Sequence, residues 1–140
     1  MSLRNILKGT GVAVVTPFAK NGAVDYDALG KLLDYIIGNN VEYIVTLGTT
    51  GETPVLTTKE KIDIIQATYA HVNSRVPVIV GIGGNNTHEV VEQLAILPLK
   101  DATAILSASP FYNKPSQEGI FQHYRAIAEK SPKPVILYNV

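Results

Sequence analysis

The sequence predicts an α/β protein built on a parallel β-sheet, and three observations carry that prediction. Five short runs rich in β-branched residues recur about thirty residues apart, the size of one βα unit. Each run is apolar on both faces instead of alternating, as strands covered on both sides read. Between the runs lie stretches with apolar residues at helical spacing, and several of these begin at a capping residue.

The first strand is expected at GVAVVT, Gly11 to Thr16. A helix follows on the stripe Tyr26, Leu29, Leu32, Leu33 and Ile36, with Asp25 as its cap. The second strand is YIVTL, Tyr43 to Leu47. The next helix carries Ile62, Ile65, Tyr69 and Val72, and Thr57 with Glu60 has capping-box spacing at its start. VPVIVGI, Val76 to Ile82, is the third strand. Val90, Val91 and Leu94 mark the helix after it, behind Asn86 and Glu89, an Asn variant of the same box. ATAILSA, Ala102 to Ala108, is the fourth strand. The helix with Ile120, Tyr124 and Ile127 begins at Ser116, which follows Pro115. PVILYNV, Pro134 to Val140, closes the series.

No linker or charge block interrupts this rhythm, so the chain reads as one domain or one piece of a domain. Two architectures share it. Five strands in this length make a complete open sheet of flavodoxin type. They equally make four and a half units of an eight-unit barrel, which normally takes about 250 residues. Periodicity favours the open sheet, because 140 residues would then be a whole protein, and it does not decide the matter.

Composition narrows the function. Lys and Arg number 12 and Asp and Glu 12, so there is no basic field to hold nucleic acid. The chain has no Cys, which removes disulfides, thiolate metal sites and cysteine nucleophiles. The run from Gly11 to Thr16 is too short to cross a bilayer and is not flanked like a signal peptide. A cytoplasmic protein with no membrane partner is expected. His71, His88 and His123 fall on separate helices without ligand spacing, so no metal is expected. There is neither a G-x-S-x-G elbow nor a Walker motif. All nine Lys lie on helices or loops, and none occupies an apolar strand where desolvation would turn it into a nucleophile.

In either fold, ligands meet the carboxyl ends of the strands. Gly48-Thr49-Thr50-Gly51-Glu52 is the most informative of these ends. Its glycines let the backbone approach a ligand, and its Thr residues offer hydroxyls and main-chain N–H groups to a carboxylate or phosphate. A tight βα turn with hydroxyls serving the local backbone fits the same residues. Gly81 to Asn86 lacks the third glycine of a dinucleotide fingerprint and reads as a turn into an Asn-capped helix. Tyr138, in an apolar strand, is either a core phenol bonded to a backbone carbonyl or a proton relay beside the strand-two Thr hydroxyls. Tyr112, in a Pro-bounded loop, is either a surface aromatic or a group presented to a site or a partner chain.

GVAVVTPF, LGTTGE, SASPFYNKPSQEG and VILYNV, in this order and spacing, closely resemble the 4-hydroxy-tetrahydrodipicolinate synthase (dihydrodipicolinate synthase) family. That family belongs to the pyruvate-dependent class I aldolases, together with N-acetylneuraminate lyase. The resemblance covers essentially the whole chain, and Thr49-Thr50 with PFYNKP and LYNV resembles the synthases more than the neuraminate lyases. It implies a (β/α)8 TIM barrel with a C-terminal helical extension, with residues 1–140 as its N-terminal part, strands one to five. It also implies a homo-oligomer, usually a tetramer, and no cofactor. The implied reaction is a lyase-type condensation of pyruvate with aspartate semialdehyde on the route to lysine, through a Schiff base. By the same resemblance Tyr138 relays protons, Thr49 hydrogen-bonds to it, and Tyr112 is lent to the neighbouring subunit. Thr50 holds the pyruvate carboxylate, flanked by Gly48 and Gly51.

The resemblance places the Schiff-base Lys and the Arg for the second substrate beyond Val140. The 140 residues alone are therefore expected to be a fragment that does not catalyse the condensation. Five barrel strands cannot close, so open edges and self-association are expected; a monodisperse monomer would favour the open sheet. A different aldehyde substrate within the same superfamily, or a small anion-binding flavodoxin-like module, remains as the alternative. Asn85 and Glu89 match the family's lysine-inhibition site, whereas Pro54, Thr58, Lys61 and Phe111 replace its usual residues. Lys61 would repel a cationic effector, so weak or absent lysine feedback is expected.

Overall fold

The structure, a computed structural model, describes residues 2–139. A short helix α1 (Leu3–Ile6) precedes β1 (Gly11–Ala13), α2 (Tyr26–Gly38) and β2 (Tyr43–Thr46). Two 3-10 turns, Thr49–Gly51 and Thr53–Val55, lead into α3 (Thr58–Val72) and β3 (Val78–Gly81). Then come α4 (Thr87–Ile96), β4 (Ala104–Ala108), α5 (Gln117–Lys130) and β5 (Val135–Tyr138).

The five strands are parallel and lie in the order β1-β2-β3-β4-β5. That order corrects the flavodoxin-type alternative, whose sheet reverses at a switch point in the order 2-1-3-4-5. Right-handed crossovers that always step in one direction leave their helices on one side of the sheet. Such a one-sided sheet is a segment of a (β/α)8 barrel.

The two faces differ accordingly. Toward the helices, Ile44, Val78, Val80 and Ile105 pack with Leu29, Leu33, Ile64, Ile65, Leu94 and Ile127 in the main core. On the other face Val45, Ile79 and Ala104 stand side by side in register and form a small cluster of their own. Leu3 and Leu7 of the α1 segment pack against that cluster. Four residues without periodic signal give sequence reasoning no means of finding α1.

The capping residues act as their spacing predicts, with one difference. Asp25 accepts from Ala28 N at 2.9 Å, and Ser116 accepts from Gly119 N at 3.1 Å. Thr57 and Glu60 form the reciprocal box, with Thr57 N donating to Glu60 at 2.8 Å. Those bonds to Thr57, the backbone one foremost, hold the Glu60 carboxyl below its ordinary range. Asn86 instead accepts from His88 N at 3.1 Å, a simple cap with no contribution from Glu89.

The strands are shorter than the apolar runs that announce them. β1 ends at Ala13, although Val14 N still reaches Val45 O at 2.9 Å. β1 and β5 are the sheet's edges, so Val15, Leu137 and Tyr138 are exposed. β5 ends at Tyr138, and Val140 of the expected run lies outside the described residues.

Gly81 closes β3 beneath the neighbouring chain: a Cβ there would overlap the Leu47 carbonyl and stand 2.7 Å from Gly48 N. Both obstacles are backbone, so Gly81→Ala is expected to cost about 1–3 kcal/mol in a urea unfolding experiment. Gly38, at the end of α2, has nothing within 4 Å of such a Cβ. Gly38→Ala is therefore expected to stabilise by about 0.4–1 kcal/mol.

His123 of α5 is 3% exposed, and its Nδ1 pairs with Thr87 Oγ1 of α4 at 2.8 Å. Its Nε2 has no partner among the described residues. Burial lowers its pKa from the ordinary 6.5, so the unfolded chain binds the proton more readily than the folded one. The stability this group contributes is complete above about pH 6.5 and declines as the pH falls below it. His123→Gln is expected to flatten that acid-side decline in urea unfolding followed between about pH 7.5 and 5.5.

Candidate active site

The carboxyl ends of the strands gather the loops after β2, β3 and β4. The β2 loop is the most constrained. Leu47, buried, takes φ +55°, and Glu52 takes φ +55° at the far end of the same loop. Left-handed conformations in such residues cost of order 1–3 kcal/mol each and persist only where the surroundings impose them. Two contacts impose this one. On one side the Leu47–Gly48 peptide rests over Gly81 of β3. On the other, Thr16 Oγ1 donates to Gly51 O at 2.7 Å, and a Cβ on Gly51 would lie 3.3 Å from Val14 O.

Thr49 and Thr50 stand between these contacts, exposed, in the first positions of the 3-10 turn. Among the described residues neither hydroxyl makes a hydrogen bond within the chain. Thr53 serves the local backbone instead, with Oγ1 3.5 Å from Gly48 O. The Thr49 and Thr50 hydroxyls thus face solvent, while Gly48 and Gly51 are buried beneath them.

Tyr138 ends β5 opposite Ala108 of β4 and is 44% exposed. It is two residues beyond Ile136, hence on the same sheet face as the small inner cluster. Among the described residues its phenol is bonded to no backbone carbonyl. Among the described residues no hydrogen bond joins Tyr138 to Thr49. What is fixed is its backbone: Tyr138 O accepts from Ser109 N at 3.0 Å and from Tyr124 OH at 3.3 Å. Tyr124 OH also reaches Ser107 O at 3.1 Å and Ser109 Oγ at 3.0 Å. The ends of β4 and β5 are therefore tied by a phenol from α5. In the sequence Tyr124 reads only as part of an apolar helical stripe.

Tyr112 is 91% exposed, with φ +68°, at the tip of the loop after β4. Asn85 Nδ2 donates to Phe111 O at 3.4 Å and links the loops after β3 and β4. The structure does not bring Tyr112 against Thr49 or Tyr138 by any hydrogen bond among the described residues. Thr16 and Tyr124 are the two residues that sequence reasoning left without a role here. The position of Thr16 at a strand end was the available signal for the first.

Among the described residues no group of three His, Cys, Asp or Glu could hold a metal ion. Among the described residues no Lys lies in a strand. No helix of the described residues is long and apolar enough to cross a membrane. Two open clefts lie away from the strand ends. One, of about 560 Å³, is lined by Tyr69, Asn73, Arg75 and Asp101 near the start of β3. In it, burial and then the Asp101 charge push the Tyr69 phenol up to about 12. The other lies on the outer face beside β5, between Phe121, Arg125 and Leu137.

The chain is similar to known proteins in sequence and in fold. The family model described as "Dihydrodipicolinate synthetase family" matches residues 6–140. The 4-hydroxy-tetrahydrodipicolinate synthase of Parabacteroides distasonis is 54% identical over 134 residues, which is 96% of this chain and 45% of that relative. Dihydrodipicolinate synthase from Bacillus anthracis superposes with a TM-score of 0.88 at 46% identity, covering 93% of this chain and 44% of that one. The chloride-inhibited dihydrodipicolinate synthase from Acinetobacter baumannii, solved in complex with pyruvate, gives 0.89 at 44% identity, covering 94% and 45%. The chain thus spans about half the length of the curated relatives it matches. The chain belongs to the dihydrodipicolinate synthetase family.

Proposed function

We propose that residues 1–140 form strands one to five of a barrel and the pyruvate-binding side of a 4-hydroxy-tetrahydrodipicolinate synthase. The proposed reaction is the condensation of pyruvate with aspartate semialdehyde in lysine biosynthesis. The observation that carries this reading is the β2 loop, which holds two unused Thr hydroxyls at a strand end in a chain of this family. Thr50 would bind the pyruvate carboxylate through its hydroxyl and main chain, on a backbone whose close approach Gly48 and Gly51 permit. Thr49 would accept or donate toward Tyr138, whose phenol, free at the end of β5, would move the proton. Tyr112 would reach into the site of a neighbouring copy, in keeping with its exposure at a loop tip. The oligomer so implied is a homo-oligomer, and a cytoplasmic location suits a chain without Cys.

The amine that captures pyruvate as an imine is not offered by residues 1–140, whose Lys side chains all sit on helices or loops. Borohydride reduction with pyruvate, read by intact mass, tests both halves of this proposal. The complete natural polypeptide carrying this sequence should retain one pyruvate-derived adduct, and residues 1–140 alone should retain none. No adduct on the complete polypeptide would overturn the reading, and an adduct on the 140 residues would overturn the division of labour. Tyr138→Phe in the complete polypeptide should lower kcat by about 10²–10⁴, the usual range for a lost acid/base group, with a smaller change in pyruvate KM. Added lysine should inhibit weakly or not at all, because Lys61 would repel a cationic effector at the interface site that the resemblance implies. Strong inhibition by lysine would show that Asn85 and Glu89 suffice.

A further inference from the structure

We propose that Thr16 is a positioning residue: its hydroxyl holds the Thr49–Thr50 turn in place to receive the carboxylate of a 2-oxo acid. The inference rests on the pyruvate-binding reading above and adds to it a residue from a different strand. Thr16 lies three positions past the end of β1, is 6% exposed, and donates to Gly51 O at 2.7 Å. The bond spans 35 residues of sequence, so it joins two strand ends and is no local turn. Gly51 is itself buried against β1, where a side chain would press on Val14 O at 3.3 Å and Thr16 Oγ1 at 3.4 Å. Close approach and hydrogen bond thus fix the same residue from the same side.

The opposite end of the turn is fixed by the seat of the Leu47–Gly48 peptide over Gly81. Thr49 and Thr50 lie between these two points and have no side-chain bond of their own among the described residues. Their height above the sheet is therefore set by the anchors. At the Leu47 end the anchor is the close backbone contact over Gly81 together with the buried Leu47 side chain. At the Gly51 end the Thr16 bond is the attractive anchor. Without it, Gly51 O is left buried with no donor, and the turn is free to rise away from β1 toward water. Hydrogen bonds to a carboxylate weaken steeply with distance and angle, so the loss should appear first in 2-oxo acid binding.

The test compares Thr16→Val, which keeps the shape and removes the donor, with Thr16→Ser, which keeps the donor. Both are made in the complete natural polypeptide. Thr16→Val should raise the pyruvate KM about tenfold or more, as expected for loss of roughly one well-placed hydrogen bond, with kcat changed less. Thr16→Ser should stay within about threefold of the unaltered protein on both parameters. Amide hydrogen exchange over residues 47–52 should quicken in Thr16→Val and stay unchanged in Thr16→Ser. A valine variant with unaltered pyruvate KM, or a serine variant as impaired as the valine one, overturns the proposal. Unchanged exchange over 47–52 in Thr16→Val overturns the anchor whatever the ligand. If the unaltered polypeptide traps no pyruvate, the functional reading falls, while the exchange comparison still decides the anchor.

Discussion

The turn after β2 is fixed on both flanks, by backbone crowding against β3 and by the Thr16 hydroxyl from beyond β1, and Thr49 and Thr50 take their position from that fact. On the β3 side the fixing is steric, since only a glycine at position 81 leaves room for the Leu47–Gly48 peptide. On the β1 side it is a buried hydrogen bond onto Gly51. The two left-handed residues at the ends of the turn, Leu47 and Glu52, fit this account. Their backbone strain is small beside the free energy of the packed strands beneath, and it is those strands that impose it. A turn held in this way presents hydroxyls without needing them for its own stability.

The parallel sheet makes that arrangement possible because β1, β2 and β3 are adjacent in space as well as in sequence. Were the order that of flavodoxin, β1 would lie between β2 and β3, and no single loop could rest on both in this manner. In the proposed barrel β5 would pair with a further strand on its open side, beside Tyr138. Its position is held through the backbone, by Ser109 and Tyr124 acting on one carbonyl oxygen.

Much of this was legible in the sequence where the signal was local. Thr57 with Glu60, Asp25 and Ser116 announce three helix starts, because a cap is made within one turn of chain. The five apolar runs announce five strands, and β3, buried along its whole length, shows how burial on both faces suppresses alternation. The choice between open sheet and barrel was not legible, since both repeat the same βα unit and differ only in which strands meet. Gly81 read as a turn glycine, and its contact with Leu47 depends on a neighbour 34 residues away, as the numbering shows. Tyr138 reads as a phenol in an apolar strand, and its hydroxyl makes no hydrogen bond among the described residues. Tyr124 was hidden by its own helix, where an aromatic at apolar spacing reads as core.

The most direct test of the account is a crystal structure of the complete natural polypeptide with pyruvate bound. The account predicts that residues 47–52 keep the backbone described here, with the Thr16 hydroxyl on Gly51 O. It also predicts carboxylate oxygens at hydrogen-bond distance, about 2.7–3.2 Å, from the Thr50 hydroxyl and a main-chain N–H of the turn. A carboxylate held elsewhere in the molecule, or a turn that rebuilds on binding, would contradict it.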